Sequence, residues 1–225
     1  MAEKSSVFDM IGPVMIGPSS SHTAGVVRIG RAGQRLLGQR PEVATITFYN
    51  SFARTYEGHG SDKAIIAGLL DFRTDDVRIK ESFEHAKAAG LNFSFKSVGN
   101  AATHHPNTVK LQLRAGENER VVIGESRGGG VIRIAEVDGF NAGFSASAHT
   151  LIIKAEDKPG KIAFIASVLN NDECNIANMS VSRKGKNDLA CHVIEMDSGI
   201  TDITLQYLNA LNWVREVIYI PDIDL

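Results

Sequence analysis

Apolar and polar positions divide the chain into two stretches of different rhythm. In the first, residues 22–37 read as a helix that stops near Gly38, with Pro41 beyond it as a breaker. Residues 43–49 alternate apolar and polar side chains and are rich in β-formers, which predicts a strand, and Asn50-Ser51 begins a turn after it. Ile65, Ile66, Leu69 and Leu70 form the apolar side of a helix entered at Ser61. Residues 80–89 give an amphipathic surface helix stopped by Gly90, and 93–98 a strand. Residues 109–113 and 120–123 alternate like two paired strands, and Gly128-Gly129-Gly130 precedes a strand over 131–134.

From Asp138 to Ser147 the chain turns rich in Gly, Ala, Ser and Asn, which marks a linker. The second rhythm is compact. It runs strand 150–155, turn Asp157-Lys158-Pro159-Gly160, then helix 161–170 with Ile162, Ile165, Ala166 and Leu169 inward. Strands 175–183 and 189–196 follow around the hairpin connection Lys184-Gly185-Lys186-Asn187, then helix 203–211 and strand 214–220. This is the ferredoxin-like βαββαβ order. The fold class is therefore α+β, with an N-terminal α/β domain over 1–140, a linker over 141–147 and the βαββαβ domain over 148–225.

A chain of 225 residues with ordinary apolar content can bury one large core or two smaller ones. A net charge of −2 and a pI near 6.4 argue against a nucleic-acid or anionic-membrane surface. No apolar run reaches membrane-spanning length, and the start Met1-Ala2-Glu3-Lys4-Ser5-Ser6 lacks a leader pattern, so a cytoplasmic protein is expected. Cys174 and Cys191 are too few for a disulfide framework and form no CxxC pattern; both read as buried free thiols.

The chemistry concentrates in Gly17-Pro18-Ser19-Ser20-Ser21-His22-Thr23-Ala24-Gly25, at the mouth of the first helix. Ser20 or Ser21 suits an N-cap, and one serine suffices for that. The surplus hydroxyls, the first-turn N–H groups and the positive end of the helix dipole suit a carboxylate or phosphate. His22 adds a group that titrates near neutral pH. The plainer alternative is a flexible cap beside a solvated imidazole. Arg28, Arg31 and Arg35 share a helix face expected to be solvated, whereas Gly25, Gly30 and Gly33 inside the helix predict a close backbone neighbour. A second glycine-flanked imidazole lies in Gly58-His59-Gly60-Ser61-Asp62-Lys63-Ala64, where capping accounts for Ser61 and Asp62 but leaves His59 unexplained. A third group is Thr103-His104-His105-Pro106-Asn107, in which Pro106 holds His105 extended, and His105 and Asn107 are favoured over His104. The glycine run at 128–130 offers either a backbone nest for an anion or a flexible turn.

These motifs carry a resemblance. Pro18 to Gly25 looks like the PSSSHTAG signature of the iron-sulfur-dependent L-serine dehydratases, specifically the beta chain of their two-chain form. Residues 58–64 resemble the family's GHGTDKA element with Ser61 in place of Thr, and the HPN and SRGGG segments also resemble the family pattern. The N-terminal domain further resembles the allosteric substrate-binding domain of some phosphoglycerate dehydrogenases, and the C-terminal one an ACT domain. The resemblance implies an L-serine ammonia-lyase subunit, with a [4Fe-4S] cluster ligated by a separate alpha subunit and no metal ligands in this chain. It implies that His22, His59 and His105 handle protons or orient the substrate L-serine. It implies that Ser19, Ser20, Ser21, Thr23, Asp62, Asn107 and Gly129 bind it. Asp157, Gly160, Asn175 and Ile176 would line a regulatory ligand site or belong to a dimerisation element alone, and ACT domains would pair in a homodimer. The alternative is an amino-acid-sensing regulatory protein without catalysis; three framed histidines favour catalysis, because holding a carboxylate takes donors rather than bases.

Overall fold

The computed structural model describes residues 13–99, 101 and 105–223, and the chain divides into two compact units at Asp138/Gly139. In the first unit a π-helical turn (Ser20–Ala24) runs directly into helix α1 (Gly25–Leu37). Strand β1 (Val43–Tyr49) is followed at once by the short helix α2 (Asn50–Thr55), where a turn was expected. Helix α3 (Ser61–Leu69), a 3₁₀ turn (Val77–Glu81) and helix α4 (Ser82–Ala88) lead to β2 (Asn92–Val98). The start of the predicted 80–89 helix thus belongs to the 3₁₀ turn. Strands β3 (Thr108–Ala115), β4 (Asn118–Gly128) and β5 (Val131–Val137) complete the unit.

In the sheet, β2, β1, β3, β4 and β5 lie in that order. β1 pairs with β2 in parallel, Val43 opposite Asn92, so the chain must cross over between them, and α2, α3 and α4 make that crossing. The other pairings are antiparallel, β1 with β3 through Ile46 opposite Leu111. Phe48, Phe52, Ile29, Leu36, Ile65, Leu69, Leu111 and Ile134 are fully buried. Each such side chain contributes about 1.5–3 kcal/mol over leaving it in water.

α1 and α3 approach as closely as backbones can. A Cβ on Gly30 would lie 2.6 Å from Ile65 O, and one on Gly68 2.2 Å from Val27 O. The expected close backbone neighbour is found at Gly30; at Gly25 and Gly33 the neighbours are the side chains of Ser126 and Leu111. The arginine face is not solvated as expected. Arg31 is buried and, with Arg35, pairs with Asp71, while Arg28 Nη1 donates to Gly130 O at 2.7 Å.

The second unit contains β6 (Phe140–Phe144), β7 (His149–Glu156), α5 (Lys161–Asn171), β8 (Ile176–Arg183), β9 (Leu189–Met196), α6 (Asp202–Ala210) and β10 (Val214–Ile220). β7 to β10 form an antiparallel sheet ordered β10-β7-β9-β8, the ferredoxin-like arrangement. Leu151, Ile153, Ile194 and Met196 pack against Ile165, Val168, Leu169 and Leu208 of the helices. Ile162, expected inward, is exposed, because the buried stripe of α5 runs through Ile165, Val168 and Leu169. The stretch expected to be a linker is ordered: Phe140, Ala142 and Phe144 are buried, and Ser145 donates through both its N–H and Oγ to Glu195. Small residues here serve strand packing rather than slack. Cys174 and Cys191 are buried thiols outside any disulfide, as expected.

Candidate functional site

The serine-rich loop is held by Ser19, not by Ser20 or Ser21. Ser19 is the N-cap, its Oγ accepting the His22 N–H at 3.3 Å, while its carbonyl takes the Thr23 N–H at 2.8 Å. The π turn that follows gives the Ser20 carbonyl to the Gly25 N–H. This extra residue per turn swings His22 toward α2, where its Nε2 lies 3.1 Å from Thr55 Oγ1. On the other side of the ring, Nδ1 lies 3.3 Å from Ser19 Oγ.

His59, exposed in the turn before α3, meets the His22 ring edge to face, with centroids 4.6 Å apart, and Phe52 packs on His22 at 5.0 Å. The two glycine-flanked motifs therefore meet, although 37 positions separate their histidines. Ser61 completes the junction. It sits one residue inside the helix, Gly60 being the cap position, and its fully buried Oγ donates to His22 O at 3.0 Å. Its expected capping role is thus replaced by a link between the loops. Burial holds the His22 imidazole below its usual value, and the positive charge of a protonated His59 adds to that effect. Neutral His22 is the form able to accept a proton.

The third group reaches the serine loop through Ser126. Its N–H donates to Asn107 O and its Oγ to Ser21 O, both at 2.9 Å. His105 Nδ1 accepts the Asn107 N–H at 3.2 Å, which fixes the turn, and burial, then Arg127, lowers its pKa against the opposing pull of Glu125. Asn50 opens α2 at φ +52°, a conformation asparagine tolerates, and its amide clasps the Ala101 backbone in both directions at 2.8 and 3.0 Å. His104 lies outside the described residues.

Ser20 and Ser21 are half-buried at the loop surface, whereas Thr23 is buried beneath Gly17, its Oγ1 without a partner among the described residues. Asp62 is half-buried, accepts the Lys63 N–H at 2.8 Å, and is pushed upward in pKa by burial. Gly128, Gly129 and Gly130 all have positive φ, and the Gly130 carbonyl receives Arg28. Ser126, Thr55 and Asn50 escape a sequence reading, because each acts on a partner remote in sequence or on backbone.

In the second unit, Asp157 Oδ2 accepts from Arg183 and the Asn187 N–H, and Gly160 opens α5 at φ +83°. Asn175 donates to Asp197, and Ile176 opens β8. The register sets Glu156 opposite Leu189 at one end and Ile176 opposite Met196 at the other. The Asp157–Gly160 pair and the Asn175–Ile176 pair thus lie at opposite ends of the sheet and do not meet within one copy.

Residues 6–96 match the family model described as serine dehydratase beta chain. The chain is 46% identical over 217 residues to the probable L-serine dehydratase beta chain of Bacillus subtilis, covering 96% of this chain and 98% of that one. It is 35% identical to the L-serine dehydratase beta chain of Peptoniphilus asaccharolyticus, over 88% and 89% of the two chains. A weaker likeness, 27% over 72% of this chain and 29% of the other, is to D-3-phosphoglycerate dehydrogenase of Bacillus subtilis. Among solved structures, the ACT domain of GTP pyrophosphokinase from Chlorobium tepidum matches 32% of this chain and 82% of its own at 20% identity, with a TM-score of 0.26. Likeness over nearly the whole length of two beta chains shows that the chain belongs to the L-serine dehydratase beta chains.

Proposed function

We propose that this chain is the half of an L-serine ammonia-lyase that receives the substrate and moves its protons, the other half being an alpha subunit that ligates a [4Fe-4S] cluster. Forming pyruvate and ammonia from L-serine requires removal of a weakly acidic α-proton and loss of hydroxide, a poor leaving group. When bound in the assembled enzyme, a cluster iron with an open position would supply the Lewis acid for the hydroxyl. Among the described residues no three His, Cys, Asp or Glu side chains converge on a metal position, which supports assigning the cluster's ligands to the alpha subunit.

The observation that carries the reading is the junction of Ser19, His22, Thr55 and His59 at the foot of α1. The Ser20 and Ser21 hydroxyls, half-buried at the positive end of α1, suit the substrate carboxylate, and Asn107 and Gly129 extend that surface by the family resemblance. His22, kept neutral by burial, is the group we assign to proton transfer, with His59 and His105 orienting substrate or relaying protons. The ferredoxin-like unit is assigned a regulatory role, with an amino-acid site completed by Asp157 and Gly160 of one copy and Asn175 and Ile176 of another. The cytoplasm is the expected compartment; no described helix is long and apolar enough to cross a membrane.

The test is anaerobic pyruvate formation from L-serine by this chain alone and after addition of a cluster-loaded alpha chain. Turnover confined to the mixture is expected. Turnover in neither, with L-serine still bound by this chain in calorimetry, overturns the reading in favour of an amino-acid sensor.

A further inference from the structure

We infer that Thr55 is a positioning residue that fixes the tautomer of His22 and so selects Nδ1 as the atom that takes the proton; this rests on the catalytic reading of His22 above. Thr55 Oγ1 has two short contacts. One is with Ser51 O at 2.9 Å, and a carbonyl oxygen only accepts, so the hydroxyl proton of Thr55 is committed there. The other is with His22 Nε2 at 3.1 Å, and toward it Thr55 has only a lone pair to offer. Nε2 must therefore carry hydrogen, and in the neutral ring Nδ1 must be bare.

The Nδ1 side fits the same assignment. Ser19 Oγ accepts the His22 backbone N–H and stands 3.3 Å from Nδ1, so its own proton is free to donate to the bare nitrogen. When Nδ1 takes a proton, Nε2–H stays on Thr55 and the new Nδ1–H turns to the Ser19 oxygen, leaving both N–H groups of the imidazolium partnered. Among the described residues the ring also meets Phe52, which is apolar, and His59, whose protonation opposes that charge. Thr55 closes a helix that begins directly after β1, so the sheet itself holds the selecting oxygen in place.

The experiment begins with the full-length wild-type chain labelled with ¹⁵N, observed by long-range proton–nitrogen correlation of its histidines at a pH where His22 is neutral. The bare ring nitrogen is expected at Nδ1; finding it at Nε2 overturns the inference without any variant. Thr55→Val, which keeps the shape and removes the oxygen, is expected to give mixed tautomers. In the complex with the alpha chain it should lower kcat about 10-fold, a part of the roughly 10²–10⁴-fold that a positioned acid–base group supplies, with KM for L-serine little changed. Thr55→Ser should restore both tautomer and kcat. A Val variant with wild-type tautomer and kcat overturns the inference. His22→Ala retaining full turnover overturns instead the reading it rests on, and with it the catalytic part of the inference, while the tautomer result stands.

Discussion

Two buried hydroxyls reach across the chain to carbonyls of the serine loop. Ser61, fully buried, gives its proton to His22 O, and Ser126, also fully buried, gives its proton to Ser21 O. Removing either donor takes one hydrogen bond from a loop carbonyl, at a cost of about 0.5–1.5 kcal/mol. Ser61→Ala is therefore expected to lower the unfolding free energy from urea titration by that amount and to loosen His22, reducing turnover of the assembled enzyme. Ser61→Thr, which keeps the donor, should retain both; a Thr variant as damaged as the Ala variant would refute the hydrogen-bond account. His22→Ala is expected to leave assembly with the alpha chain intact and remove most turnover, measured by co-elution and pyruvate formation side by side. The imidazoles between glycines were legible because local structure gives little reason for them. Ser126 was not, since nothing near it in the sequence shows that it will sit under Ser21, and Thr55 was hidden in a helix that the turn-like Asn50-Ser51 pair disguised.

Two glycines set how closely the elements of the first unit pack. Gly30 on α1 and Gly68 on α3 let the helices touch backbone to backbone, which brings the start of α3, and with it Ser61, up to the serine loop. Gly68→Ala would put a Cβ 2.2 Å from Val27 O, a backbone atom that cannot swing aside. The expected loss is about 1–3 kcal/mol of stability, against the gain of about 0.8–1 kcal/mol that higher helix propensity gives at a free site. A variant at least as stable as wild type by thermal unfolding would show that the helices separate without cost. The glycines predicted proximity from sequence, but not which partner: only at Gly30 is it backbone. Strands β1, β9 and β10 begin and end where alternation and turn residues placed them. β6 did not, because a Gly-Ala-Asn-Phe composition is shared by linkers and by thin, closely packed strands; its buried Phe140 and Phe144 decide for a strand.

At the scale of the whole chain, the buried histidines make stability a function of pH, and the sign follows from their direction. His22, His105 and His192 are all held below the ordinary imidazole value, chiefly by burial. The unfolded chain therefore takes up protons first, beginning near pH 6.5, and each such histidine removes stability as pH falls, by up to about 1.4 kcal/mol per pH unit. Their contribution is fully present above that pH and is lost as pH drops toward the folded values. The depressed carboxylates Asp76, Asp157 and Asp172 act in the same direction but only below about pH 4, so the two windows separate. His192 isolates the effect. It is buried in β9, neither ring nitrogen has a partner among the described residues, and Ile153 and Val181 flank it in register. Trp213, the chain's single tryptophan, packs on the core of the same unit and reports its unfolding by fluorescence. Urea midpoints followed at Trp213 are expected to fall between about pH 7 and pH 5 in the wild type. In His192→Leu, which replaces an unpartnered buried imidazole with an apolar side chain, that fall should flatten and the acid-side midpoint should rise. An unchanged slope would place the proton uptake elsewhere in the unit.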